Sequence, residues 1–207
     1  YTMLSKRVNI PKNGTILVYS AAGGVGSSLV QFARALYPKI TIIGTCSDEK
    51  KIKVVYSLGA DLVINTKKEL LVNKLHKKFP DGIDVIFDPM GQKYLDANLS
   101  LLRPLSGTIC SYGTLTGSIT DSDLVAKLRK DNLTFSGFLM WPLLENKELC
   151  FNIFAEIFNI LKTKRFKPII DEIFPLKDIN KAIKRIRKRK NVGKVLIKIL
   201  WIIIAKL

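Results

Sequence analysis

Apolar and polar positions in this chain switch repeatedly between two periods. Short runs rich in Val, Ile and Thr occur at 15–18 (T-I-L-V), 39–44 (K-I-T-I-I-G), 62–64 (L-V-I), 83–87 (I-D-V-I-F) and 107–112 (G-T-I-C-S-Y). Such runs are short enough for buried parallel strands. Between them apolar residues recur at three and four. The clearest case is 26–36, where Val25, Leu29, Phe32, Ala33 and Leu36 fall on one helical face. A second helix starts at a Ser47 or Asp48 cap and stops at Gly59. A lysine-rich helix over 68–79 closes at Pro80-Asp81-Gly82, and another covers 95–102. Strands alternating with helices predict an α/β fold, a doubly wound parallel sheet spanning 14–161. The alternation in 132–140 suits an edge strand, and 149–161 an apolar helix covering the sheet.

The two ends of the chain read differently. Residues 1–14 form a short amphipathic piece (Met3, Leu4, Val8) that ends in a turn at 11–14. Residues 168–175 are strand-like. Asp178 then caps a helix with Ile179, Ala182, Ile183 and Ile186 on one face, and 193–199 is a last strand. The tail at 200–207 is apolar but far shorter than the about 20 residues a bilayer requires.

The stretch Tyr19-Ser20-Ala21-Ala22-Gly23-Gly24-Val25-Gly26 joins the first strand to the first helix. Strand, small-residue turn and helix are the context a dinucleotide-binding turn needs. Gly23 and Gly24 allow the backbone close to a pyrophosphate, and Gly26 allows the helix to pack tightly on its strand. Free N–H groups at the helix start, with the positive end of the helix dipole behind them, then face the phosphates. The first glycine of the usual G-x-G-x-x-G is Ala21 here.

Charge and cysteines narrow the picture. The net charge is +17, and residues 161–207 carry +12 of it, with 15 Lys and Arg against Asp171, Glu172 and Asp178. The excess is a basic C-terminal face, which argues against a uniformly basic nucleic-acid domain. Cys46, Cys110 and Cys150 are far apart with no C-x-x-C pair, which suggests neither a zinc site nor a disulfide framework and fits a reducing compartment. No secretory signal opens the chain, and Tyr1 suggests a start partway through a longer protein. His76, the only histidine, sits in the lysine-rich helix as a surface residue. No acid–base pair or nucleophile stands out, so no catalytic residue is named.

Several segments together resemble the nucleotide-binding domain of medium-chain dehydrogenases/reductases, in their zinc-free quinone oxidoreductase (zeta-crystallin-like) branch. They are A-A-G-G-V-G at 21–26, L-G-A-D-L-V-I-N at 58–65, D-V-I-F-D-P-M-G at 84–91 and S-Y-G-T-L-T-G at 111–117. N-L-T-F-S-G-F at 132–138, F-P-L-K-D-I-N-K-A at 174–182 and G-K-V-L-I at 193–197 continue the series in family order. The resemblance implies a Rossmann NADP-binding domain over 1–165 and, over 166–199, the segment that returns to a GroES-like lobe. Family members carry that lobe before the region where this chain begins.

The resemblance also implies a cofactor, NADPH, and a site. The second strand ends in Gly44-Thr45-Cys46-Ser47, without the carboxylate that usually holds an NAD ribose. Asp48 and Glu49 come a step later, where helix capping accounts for them. By resemblance Lys51 and Arg189 hold a 2′-phosphate, although each also reads as an ordinary solvated cation. The family's tyrosine after I-N is Thr66 here, which weakens one contact. Met90 and Gly91, with Tyr112 and Gly113, line the nicotinamide and its ribose at strand carboxyl ends, and Phe138 borders the carboxamide. Ala22, Gly23, Gly24, Val25, Gly26, Ser47 and Asn65 complete the expected cofactor set, with no metal ligand.

The implied activity is NADPH-dependent hydride transfer to a quinone or similar conjugated carbonyl. An enoyl-thioester or alkenal reductase is the alternative, with a hint in G-F-L-M-W at 137–141. From a different class, the basic 181–190 helix leaves a nucleic-acid or anionic-surface binder as a third reading. The expected protein is cytoplasmic, not membrane-bound, and a homodimer through the 132–140 strand.

Overall fold

The computed structural model describes residues 1–163 and 165–199, so the apolar tail at 200–207 lies outside the described residues. After a single π-helical turn at Met3–Arg7, which buries Met3 and Leu4, the chain enters β1 (Thr15–Val18). It continues through α1 (Gly26–Leu36), β2 (Thr41–Cys46), α2 (Ile52–Ser57), β3 (Leu62–Asn65), α3 (Leu71–Lys78), β4 (Val85–Asp88) and α4 (Leu95–Leu101). β5 (Thr108–Ser111), α5 (Leu124–Lys130) and β6 (Thr134–Gly137) complete the sheet. The six strands run in the order β3-β2-β1-β4-β5-β6 and pair in parallel throughout. This is the doubly wound parallel sheet that the strand–helix alternation predicts.

The apolar runs have no polar face because both faces of the sheet are covered. Successive residues of β1 point to opposite sides. Ile16 and Val18 join Leu29, Phe32 and Ala33 in one core layer, while Leu17 joins Ile43, Ile64, Ile86 and Leu95 in the other. Burying each such side chain contributes about 1.5–3 kcal/mol, and all four residues of β1 are buried. The chain moves outward from β1 to β3 and then returns to β4 beside β1. That reversal opens a crevice at the carboxyl ends of β1 and β4, where open α/β sheets bind ligands.

Three expectations are corrected in detail. Asp48 does cap, its carboxylate accepting from Lys50 N at 3.0 Å, but it opens a 3-10 turn at Glu49–Lys51 that runs into a short α2. The strand expected at 132–140 is shorter: Phe138 N still donates to Ser111 O at 2.8 Å, but Leu139 already leads into α6 (Met140–Glu145). β6 is an edge strand as expected. The helix expected at 149–161, α7 (Lys147–Lys162), packs Ile157, Ile160 and Leu161 on the core yet leaves Phe151, Phe154 and Phe158 exposed. The α5 helix was not expected, because its three cations, Lys127, Arg129 and Lys130, hide its apolar spacing.

The C-terminal part forms β7 (Ile170–Pro175), α8 (Ile179–Arg187) and β8 (Lys194–Lys198), in which the two strands pair in parallel as a separate two-stranded sheet. This unit sits against the glycine turn: Gly23 and Gly193 form a parallel bridge. Among the described residues, no helix is long and apolar enough to cross a membrane.

Candidate cofactor site

The glycine turn follows β1 directly and its geometry explains each small residue. Ser20 takes a positive φ of 51° and its N–H donates to Thr45 Oγ1 at 3.2 Å. Ala21 N donates to Thr45 O at 2.8 Å and Gly23 N to Ser20 O at 2.8 Å, so the turn is braced on β2. A Cβ at Gly26 would lie 2.3 Å from Ser20 O and 2.8 Å from Ala21 Cα, inside backbone that cannot yield. At Gly24 a Cβ would instead meet the Lys194 side chain, 2.7 Å from its Cδ and 3.2 Å from its Nζ. The N–H groups of Gly24, Val25 and Gly26 donate to no acceptor among the described residues. These free donors at the start of α1, with a lysine beside them, suit a diphosphate.

From this turn a cleft of about 370 Å³ extends across the carboxyl ends of the strands. Ser20, Ala22 and Gly23 form its floor, and Thr45, Cys46, Ser47 and Lys51 the side next to β2. Ile186, Arg187, Arg189 and Asn191, from the end of α8 and the loop after it, also line it and meet the side that holds Lys51. Tyr19, Met90, Tyr94 and Leu115 make the apolar end.

Lys51 and Arg189, far apart in sequence, meet here. The Lys51 ammonium donates to Arg189 O at 2.6 Å and Asn191 O at 2.7 Å. The residue is only 9 % exposed, and burial lowers its pKa from the ordinary lysine value despite Asp48 and Asp171 nearby. Arg189 has a φ of 52°. Earlier in α8, Arg185 forms a two-pronged ion pair with Asp171, whose Oδ1 also accepts from Val192 N at 3.0 Å. The Arg185 hydrogen bonds hold the Asp171 carboxyl below the usual carboxylate range.

At the other end, Asp88 is fully buried and accepts from Met90 N at 2.5 Å and Gly91 N at 3.4 Å, which shapes the turn after β4. Burial pushes its pKa upward. Gly91 has a φ of +88°, and a Cβ there would strike Gly117 O at 2.2 Å. Tyr19 packs edge-on to Tyr94 with centroids 5.4 Å apart and donates to Asn98 Oδ1 at 2.7 Å, while Asn98 Nδ2 has no partner among the described residues.

Of the expected set, Ala22, Gly23, Ser47, Lys51, Met90 and Arg189 line the cleft. Gly24, Val25 and Gly26 lie at the adjoining helix start. Asn65, Gly91, Tyr112, Gly113 and Phe138 do not line it: Asn65 and Gly91 are buried, and Tyr112, Gly113 and Phe138 are half-buried. The Asn65 Oδ1 accepts from Lys67 N at 3.1 Å in a local turn, and burial pushes the Tyr112 hydroxyl upward. Thr66, standing where the family tyrosine would be, lines the cleft but turns its hydroxyl to Cys46 O at 3.3 Å. Sequence reasoning missed Tyr19, Tyr94, Arg187 and Asn191. Tyr19 adjoins the glycine turn and was within reach of the pattern; Arg187 was hidden in a run of like charges.

Comparison with known proteins places this geometry. Residues 58–197 match the family model for zinc-binding dehydrogenases. The chain is 29% identical over 212 residues to the human synaptic vesicle membrane protein VAT-1 homolog, covering 95% of this chain and 53% of that protein. It is 28% identical to a probable quinone oxidoreductase of Leishmania amazonensis, covering 92% of this chain and 58% of that protein. The chain thus spans about half the length of the curated relatives it matches. Among solved structures, Escherichia coli quinone oxidoreductase complexed with NADPH superposes with a TM-score of 0.86 at 26% identity, over 95% of this chain and 60% of that one. Among the described residues no group of three or more His, Cys, Asp or Glu could hold a metal ion, so they offer no ligand set for the zinc in the family's description. The chain belongs to the zinc-binding dehydrogenase family, within the medium-chain dehydrogenase/reductase superfamily that its motifs imply, and sits on the side of the quinone oxidoreductases.

Proposed function

We propose that these residues are the coenzyme half of an NADPH-dependent oxidoreductase acting on a quinone or similar conjugated carbonyl. The observation that carries the reading is the polarity of the cleft. Free N–H donors and Lys194 flank the glycine turn, Arg187 and Arg189 line the cleft, and β2 ends without a carboxylate. A site with cations where NAD-selective sites place an acid favours a 2′-phosphate. The pyrophosphate fits the start of α1 and the 2′-phosphate the corner of Lys51 and Arg189. The nicotinamide fits the apolar end beside Met90, with Gly91 and Gly113 shaping the turns beneath it.

When bound, the nicotinamide supplies hydride, so the protein's work is to hold ring and substrate in line and to exclude water. Tyr94, Leu115 and Met90 provide the apolar surface for that. Consumption of NADPH with a simple benzoquinone, compared with an enoyl thioester, tests the substrate class. Faster turnover of the quinone supports this reading, and faster turnover of the thioester supports the alternative reductase. The basic α8 gives little support to a nucleic-acid role, because Lys181 and Arg185 are paired with Asp178 and Asp171 and Arg187 lines the cleft. We also propose a homodimer through the free edge of β6, and a cytoplasmic location.

A further inference from the structure

We propose that α8 and β7 carry a second anion site, separate from the cofactor cleft, that takes a compact group with two or more phosphates. A groove of about 300 Å³ lies between these two elements. Lys181, Lys184, Arg185, Lys188 and Lys190 line it, against a single acid, Glu172. The buried Phe174 of β7 lines it as well.

The charges of this groove are not balanced within the chain. Arg185 is committed to Asp171 and Glu172, so the one acid in the groove is already taken. Lys181 is paired with Asp178. Lys184, Lys188 and Lys190 are in no ion pair among the described residues. Lys184 and Lys188 stand four residues apart on one helical face, where like charges repel. Free carbonyls at a helix end often draw cations, but here they are occupied. Those of Lys184, Arg185 and Ile186 accept from the N–H groups of Lys188, Lys190 and Arg189 at 3.0, 3.1 and 2.8 Å. Three uncommitted ammonium groups around one concavity offer a phosphate group point charges from several sides. A singly charged anion would leave most of their repulsion in place, so the ligand carries at least two charges. A nucleic-acid strand fits less well, because the concavity has the size of a small molecule and Glu172 and Asp178 interrupt the basic surface.

The chain alternates at this point. Lys188 and Lys190 line the groove, while Arg187 and Arg189 line the cofactor cleft. The two surfaces share one stretch of backbone and no side chain, so each can be tested without disturbing the residues of the other.

Amide NMR spectra of the isotope-labelled chain, titrated with inorganic tripolyphosphate, read the site residue by residue. Salt of about 0.15 M screens exposed charges more than about 8 Å apart and suppresses diffuse attraction. Saturable shifts are expected at Lys184, Lys188 and Lys190. The double variant Lys184→Gln, Lys188→Gln should weaken that binding about tenfold or more. Lys194→Ala, which removes the cation beside Gly24, should leave it as in the wild type and so tells it apart from binding in the cofactor cleft. Shifts confined to residues 22–26, shifts that climb without saturating, or equal affinity in the double variant would overturn the proposal. Cosedimentation with phosphatidylcholine vesicles containing phosphatidylinositol bisphosphate distinguishes the two sources of such a group. Retention that the double variant loses assigns the group to a lipid headgroup, and no retention assigns it to a free oligophosphate; the site stands in both cases.

Discussion

Gly193 donates its N–H to the carbonyl of Ala22 at 2.8 Å, joining the start of β8 to the glycine turn after β1. The contact makes the C-terminal unit a wall of the nucleotide cleft. Gly193 has a φ of +78°, and a Cβ there would lie 2.3 Å from Ile169 O. Gly193→Ala should therefore cost about 2 kcal/mol or more of stability. Thermal melts should show the loss, and nucleotide affinity should fall with it.

Gly24 and Gly26 should respond differently to alanine. At Gly26 the new methyl meets the Ser20 carbonyl and the Ala21 backbone, so the chain should lose about 2–3 kcal/mol. At Gly24 it meets only the flexible end of Lys194. Gly24→Ala should melt near the wild-type temperature while binding NADPH and NADH more weakly. A melt and a titration on both variants check the contrast.

Lys194 lies against Gly24, on the diphosphate side of the cleft. Lys194→Ala should weaken NADH and NADPH alike, by about tenfold. Arg189→Gln should weaken NADPH alone. Isothermal titration of both nucleotides against both variants separates the diphosphate cation from the 2′-phosphate cation.

The Asp171–Arg185 pair gives the segment 171–193 an acid sensitivity. The Asp171 carboxyl is held below its ordinary value in the folded chain. Its stabilising contribution is therefore present above the unfolded carboxylate value and is lost as pH falls through the lower folded one. Denaturant melts taken down through the carboxylate range should show this loss. The Asp171→Asn variant should be less stable at neutral pH and should lack that acid step.

The free edge of β6 carries the dimer proposal. Ser136 sits mid-strand, paired with Cys110 of β5 on one side only. Light scattering should give a dimeric mass for the wild-type chain and a monomeric mass for Gly137→Pro, because Thr134 and Phe138 turn their N–H groups to β5 and residue 137 therefore offers its donor to the free edge, where proline removes it.

Much of this architecture was legible in the sequence because each central strand is buried on both faces and each turn has its own chemistry. The β1 run, the Gly26 packing position, the Asp48 cap and the Gly59 stop all follow from local rules, and the structure bears them out. Less of the site could be read. Residues that meet across the cleft, such as Lys51 and Arg189, are joined by tertiary packing that no local pattern encodes. Among the clustered cations 184, 185, 187, 188, 189 and 190, only the docking of α8 decides that Arg187 and Arg189 line the cleft and Arg185 pairs with Asp171. Tyr19 was passed over because it stands between the strand run and the small residues of the turn; it is core while its edge also borders the cleft.

The most direct test of the central claim is a paired titration of the purified chain with NADPH and NADH at one salt concentration, followed by tryptophan or nucleotide fluorescence. NADPH should bind clearly more tightly, by about tenfold or more, as expected for one charge-assisted phosphate contact. Equal binding, or preference for NADH, would contradict it.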